Sequence, residues 1–278
     1  MNAWSRFRRN RLAVVGLVLV VVLAVSAALA PWLAPYDPAR QSLVEKRTKP
    51  GAKYVLGADE FGRDILSRVI YGSRVALLVG VLSALIAVAF GLLLGTVAGF
   101  VGGWLDAVLM RGIEILLAFP FLLLALAIVA ALGTGALNTT IAVGIWGVPA
   151  VTRIVRGSVL ALRETEYVGA ARALGAPVTA LLRRHILPNI LSPLLAVATY
   201  EVSRLVLTES ALSFLGLGVS PPAVTWGGMI GDGRNFIYDA WWTAAVPGLM
   251  IAVLVFALNF VGDGLRDAFD PTSWREGP

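Results

Sequence analysis

The chain has 278 residues, 58% of them hydrophobic and only 14% charged, with a mean hydropathy of +0.81. That balance excludes an ordinary soluble domain and puts the chain in the polytopic membrane class. The 23 Lys and Arg against 17 Asp and Glu give a net charge of +6, which in a membrane protein marks cytoplasmic loops and lipid headgroup contacts and does not imply nucleic acid. Cysteine is absent and His185 is the one histidine, so there is no disulfide or thiolate chemistry, and no metal is expected.

Arg6, Arg8, Arg9 and Arg11 precede an apolar run that is dense to Leu33. A helix over 12–30 would be roughly 28 Å long, about one hydrocarbon core. A retained first span with a cytoplasmic N-terminus fits this length and the positive-inside rule better than a cleaved secretory signal. The region 36–74 is polar, and in it Asp59 to Asp64 lead into Ile65, Leu66, Val69 and Ile70. Their spacing predicts one apolar face of a short amphipathic helix on the membrane surface. Residues 1–74 are therefore expected as an N-terminal tail, first span and outer loop, and 75–278 as a core of five further spans. Arg63 and Asp64 are candidates for an external contact, beside a plain local ion pair.

The second span is expected at 75–100, where Gly91, Gly95 and Gly99 form a small-residue stripe that would let another helix approach closely. After Gly102-Gly103, Asp106, Arg111 and Glu114 lead into a third span at 115–132, and Gly133-Thr134-Gly135 with Asn138 breaks it from a fourth at about 140–155 that ends at Arg153 and Arg156. A fifth span at about 190–207 carries Glu201 and Arg204, with Glu209 toward its outer end. A loop with Pro221, Pro222, Trp226, Asp232 and Arg234 precedes the sixth, at 240–262, and Asp263, Arg266, Asp267 and Asp270 follow. Alternation from an internal N-terminus puts both termini inside.

Between the fourth and fifth spans lies the polar stretch 166–188, EYVGAARALGAPVTALLRRHILP. Thr165 to Leu174 suits a helix, Gly175 can take the left-handed position that ends one, and Pro177 sits where another would start. Pro188 is expected to close the second piece before the fifth span. A connector punctuated in this way can present a convex knob. A docking surface and a solvated loop both remain open on composition alone.

Spacing favours the first. Ala170-Ala171, three residues, Gly175, nine residues, His185, one residue and Leu187-Pro188 resemble the signature loop of the membrane subunits of bacterial ATP-binding cassette importers. That loop usually has Glu where Gly169 stands and Ile where His185 stands. Further stretches are similar to the second permease subunit of the dipeptide, oligopeptide and nickel branch. They include Arg9-Asn10-Arg11-Leu12-Ala13, Ala34 to Pro38, Leu56 to Asp64, Leu212 to Gly218 with Trp226-Gly227, and Gly262 to Asp267.

The resemblance implies an all-α, six-span bundle like a type I importer permease, in the bacterial inner membrane. It implies coupling to separate ATPases through a cytoplasmic loop at about 157–189, by way of Ala170, Ala171, Gly175, Leu187 and Pro188. The expected partners are a homologous permease, two ATPase subunits, an extracytoplasmic solute-binding protein that Arg63 and Asp64 could dock, and a peptide or related small solute. ATP and magnesium would belong to the ATPases. This chain has no Gly-Lys pair and so no Walker A loop.

Intramembrane charge marks the other candidates. Glu201 and Arg204, three residues apart, share a helix face and are expected to pair, and with Glu209 they are candidates for the translocation path. His185 reads as an interfacial packing residue. An ion-coupled secondary carrier would show paired half-repeats, and none is visible. An intramembrane enzyme would need a His or paired Asp constellation at depth. Dipeptides, longer peptides and nickel chelates are the solutes that the resemblance implies.

Overall fold

The computed structural model describes residues 3–269; Asp270 lies outside the described residues. In chain order the helices are α1 (Ala3–Arg9), α2 (Arg11–Ala28), α3 (Ala30–Leu33), α4 (Ile65–Val101), α5 (Gly103–Ala118), α6 (Phe121–Leu132), α7 (Ala136–Arg163), α8 (Glu166–Ala173), α9 (Val178–Leu181), α10 (Leu187–Phe214), α11 (Trp226–Gly233) and α12 (Trp242–Phe269). Among the described residues there is no strand beyond an isolated bridge between Ala58 and Asp64. Four helices, α2, α4, α7 and α12, are each long and apolar enough to cross a membrane. Two bent stretches, α5 with α6 and Val178–Leu191 with Pro193–Phe214, raise the number to as many as six, in agreement with the all-α, six-span expectation.

The closest packing is between α4 and α7, and glycine makes it possible. A Cβ added at Gly91 would lie 2.5 Å from the Val151 Cβ, one at Gly95 2.7 Å from the Thr152 carbonyl oxygen, and one at Gly99 2.9 Å from the Arg156 carbonyl oxygen. The expected glycine stripe is therefore a seam along which two helices touch nearly backbone to backbone. The Ser83 hydroxyl adds a cross-helix bond to the Thr140 carbonyl at 2.9 Å. Around the seam, Ala87, Val143, Val151 and Val155 pack with Ile186, Ile190, Leu205 and Leu212 of the following segments. A second core joins Leu23, Ile65, Val69 and Val206 to Trp226, Trp242 and Leu254 near the start of α4. Both indoles in it are satisfied: Trp226 donates to the Val69 carbonyl at 2.9 Å and Trp242 to that of Ala58 at 3.2 Å.

Three expectations are corrected. Residues 65–74 are not a separate helix on the membrane surface but the first turns of α4, which runs unbroken for 37 residues. Ile65 and Val69 are buried in the second core, so their apolar face turns toward protein and not lipid, and a boundary at residue 74 would cut a continuous helix. The third span does not run straight over 115–132. Pro120 restricts the residue before it to extended geometry, Phe119 has φ −81° and ψ 130°, and α5 and α6 meet at 91°. Finally, Pro188 does not close the second piece of the insert. A wide π turn over Leu182–Ile186 runs directly into α10, and Pro188 sits in its first turn, where a missing N–H costs nothing. The bend there, of 52°, falls instead between Leu191 and Pro193.

Since a side chain at Gly95 would meet backbone and a β-branched neighbour, Gly95→Val should force α4 and α7 apart and destabilise the purified protein by about 1–3 kcal/mol. Gly112→Ala, where the added atom meets nothing within 4 Å, should leave the thermal midpoint in detergent unchanged or slightly raised. Equal midpoints for the Gly95 variant and the wild type would refute the seam.

Candidate functional site

The insert hangs from the end of α7. Its turn forms because Gly175 adopts φ +82°, which allows the Ala176 N–H to reach the Ala171 carbonyl at 3.1 Å and the Gly175 N–H to reach that of Arg172 at 3.0 Å. Those two bonds close the end of α8 in a Schellman arrangement. Pro177 then caps α9, so the helix, turn, helix reading holds. Val168, Leu181 and Ile186 are fully buried and fasten the insert to the bundle.

Its other side is open. Leu174 is 88% exposed and Val178 55%, and Ala170, Gly175 and Pro188 are exposed while Ala171 and Leu187 are half-buried. A Cβ would meet nothing within 4 Å at either Gly169 or Gly175. An apolar tip on a charged, water-facing segment leaves hydrophobic surface uncovered. The base is braced as well: the Arg163 guanidinium donates to the carbonyls of Gly99 and Phe100 at 3.4 and 3.3 Å, which are among the unsatisfied acceptors at the end of α4. His185 packs its ring against Tyr167 with centroids 6.0 Å apart.

In the membrane, Arg204 donates to Glu201 through Nη2 at 2.7 Å and Nε at 3.1 Å. The pair expected from the spacing is formed, with Glu201 8% and Arg204 40% exposed at the side chain. Glu209 stands elsewhere. It is 1% exposed and accepts from the Ser213 hydroxyl at 2.6 Å, closed in by its own helix.

At the end of α4 away from the insert, the Arg63 guanidinium binds Asp59, Glu60 at 2.9 Å and Asp232 at 3.5 Å, thereby tying the loop to α11. Burial beside Asp59 pushes the Glu60 carboxyl above the usual carboxylate range. Asp64, 2% exposed, caps α4 by accepting from the Ser67 N–H and hydroxyl at 2.8 and 2.6 Å. Asp64 is buried and Arg63 half-buried, and both hold the loop together. One pair that the sequence did not reveal is Arg156 with Asp106, joined by two bonds of 2.6 Å. Fifty positions separate them, and no local spacing signals such a contact.

Two family models match the chain. That for the binding-protein-dependent transport system inner membrane component matches residues 91–275, which run from the last three turns of α4 through the insert and past the end of α12. The chain belongs to that family. The N-terminal part of this permease, residues 1–50, matches the N-terminal TM domain of oligopeptide transport permease C. Over 96% of its length and 90% of the relative's it is 44% identical to the di/tripeptide transport system permease protein DppC of Pseudomonas aeruginosa. It is also 40% identical to the dipeptide transport system permease protein DppC of Bacillus subtilis, over 97% of this chain and 85% of that one. The glutathione transport system permease protein GsiD of Pectobacterium atrosepticum is 40% identical over 96% and 89%.

Among solved structures the permease is similar to a chain of the inward-facing MetNI methionine ABC transporter. The TM-score is 0.64 with 19% identity, over 74% of this chain and 98% of that one; at that identity the likeness is one of fold. The protein is thus a multi-pass inner-membrane permease of the ABC importer type, a transport subunit.

Removing the brace at the base of the insert should loosen it. Arg163→Ala is expected to speed tryptic cleavage of the folded permease after Arg172, Arg183 or Arg184 several-fold, because the lost bonds are worth about 1 kcal/mol. Cleavage rates equal to wild type, followed by mass spectrometry, would show that the brace contributes nothing.

Proposed function

We propose that this permease carries peptides or related small solutes into the cytoplasm by alternating access. It would do so with a homologous permease, two ATPase subunits that hold the ATP and magnesium, and an extracytoplasmic solute-binding protein that delivers the solute. The observation that carries the coupling part is the insert: an exposed apolar tip at Leu174 and Val178 on a turn fixed by Gly175, rooted in the core by Val168 and Leu181. Ala170, Ala171, Leu187 and Pro188 complete the surface to which an ATPase would bind. With Gly169 in place of an acidic residue, the contact rests on shape and apolar area more than on an ion pair. The insert and both termini would lie in the cytoplasm.

Peptides are the first choice of solute because three relatives of at least 40% identity are named for di/tripeptide, dipeptide and glutathione transport. For nickel chelates or an ion-coupled carrier no comparable observation speaks. Docking alone would shift no equilibrium; the insert must make contacts of different energy with the ATPases in their two nucleotide states. In the assembled complex, Gly175→Val would strain the left-handed turn by about 1–2 kcal/mol and tilt the tip. ATP hydrolysis should continue while peptide uptake into proteoliposomes falls about tenfold or more, the permease remaining membrane-inserted. Uptake at the wild-type rate would contradict the coupling role.

A further inference from the structure

Two charged helix faces meet across a cleft between α5 and α7, beside the Asp106–Arg156 bridge. α5 is loosely seated, with Ile113 its one buried residue among those described, whereas α7 is buried along α4 at Val151, Thr152 and Val155. Between them lies an open hollow of about 420 Å³ lined by Met110, Glu114, Arg153 and Arg156.

Its charges are not equivalent. Arg156 is held in the two bonds to Asp106 and is neutralised there. Arg153 is exposed, and among the described residues no carboxylate pairs with it. It lies about 15 Å from the end of α7 that bears the insert, beside Val151 and Thr152 where α7 touches Gly91 and Gly95. A guanidinium with no carboxylate beside it is free to take one from a ligand. On the opposite wall, Glu114 is exposed and bound only to Arg111 of its own helix, at 2.9 Å, with both side chains in the open. A surface pair of this kind contributes little, and Glu114 can exchange that partner.

The geometry points to this cleft as a station for zwitterions on the inward path: Arg153 receives the terminal carboxylate of a peptide, and Glu114 its ammonium group. A guanidinium binds a carboxylate through two parallel N–H bonds, and a carboxylate on the facing wall supplies the opposite charge. The inference rests on the peptide-import reading above and assigns its substrate chemistry to residues outside Glu201, Arg204 and Glu209. A carboxylate of the partner permease is the rival occupant of Arg153.

The test uses the whole complex with its ATPases and binding protein in proteoliposomes. Uptake of a dipeptide and of its C-terminal amide is measured, each normalised to its affinity for the binding protein alone, in wild type, Arg153→Gln and Arg153→Lys. Wild type should prefer the free carboxylate about tenfold beyond the binding protein's own preference. Arg153→Gln should lose that excess at unchanged amide uptake, and Arg153→Lys should keep most of it. Glu114→Gln should in the same way remove discrimination against the N-acetyl form.

An excess preference that survives in Arg153→Gln overturns the inference while leaving peptide import intact. Failure of Arg153→Gln to co-purify with the partner permease, with Arg153→Lys assembling normally, would assign the residue to the subunit contact and overturn it as well. Absence of any ATP-driven peptide uptake by the wild type would overturn the import reading itself.

Discussion

The near contact of backbones between α4 and α7 at Gly91, Gly95 and Gly99 governs how this permease is arranged. In lipid the hydrophobic effect does not draw one apolar helix to another, and close approach of small residues has to supply the attraction through packing. Once α7 is seated on α4, the direction in which it leaves the bilayer is set, and the insert follows directly from its last turn. Arg163 reaches back to the end of α4 and fastens that exit. The other end of α4 is capped by Asp64, inside the loop that Arg63 ties to α11. One helix of 37 residues, about 55 Å long, thus connects the loop that precedes it to the base of the insert. A rigid rod referenced at both ends is a means by which an event on one face can be felt on the other.

Charge within the long helices is handled in three ways. Glu209 is enclosed and bonded to serines of its own helix. Glu201 and Arg204 neutralise one another, with the arginine partly open. Arg153 has no such partner among the described residues and opens on a cleft, which leaves its guanidinium free for a counter-charge from outside. The loose seating of α5 and its right-angled turn at Pro120 keep that cleft from being filled by the chain's own side chains.

Features that depend on near neighbours along the chain are legible in the amino-acid sequence. The glycine seam, the left-handed turn at Gly175 and the Glu201–Arg204 pair each follow from a spacing of three or four residues or from one residue's conformational freedom. What the sequence conceals depends on distance or on competition. Residues 65–74 carry an amphipathic pattern, but its apolar face belongs to the second core through Ile65 and Val69, and no breaker separates it from the span that follows. Pro120 falls in a long apolar run whose hydropathy hides a right-angled bend. Pro188 reads as a stop, whereas a π turn before it and its place in the first turn of α10 make it harmless. Arg63 and Asp64 look available in a polar loop and are consumed by it. The Asp106–Arg156 bridge joins segments that only the fold brings together.

Because the chain has no cysteine, two introduced ones can report the movement of this rod without interference. Val44→Cys in the loop before α4, a position 97% exposed, and Arg172→Cys on the insert would carry spin labels in the complete complex, with their separation measured by pulsed electron resonance. If the insert transmits the state of the ATPases, the distance distribution with ATP trapped will differ from that without nucleotide by several ångströms, and Gly175→Val will reduce the difference. Identical distributions in the two nucleotide states, in a complex that hydrolyses ATP and imports its solute, would contradict it.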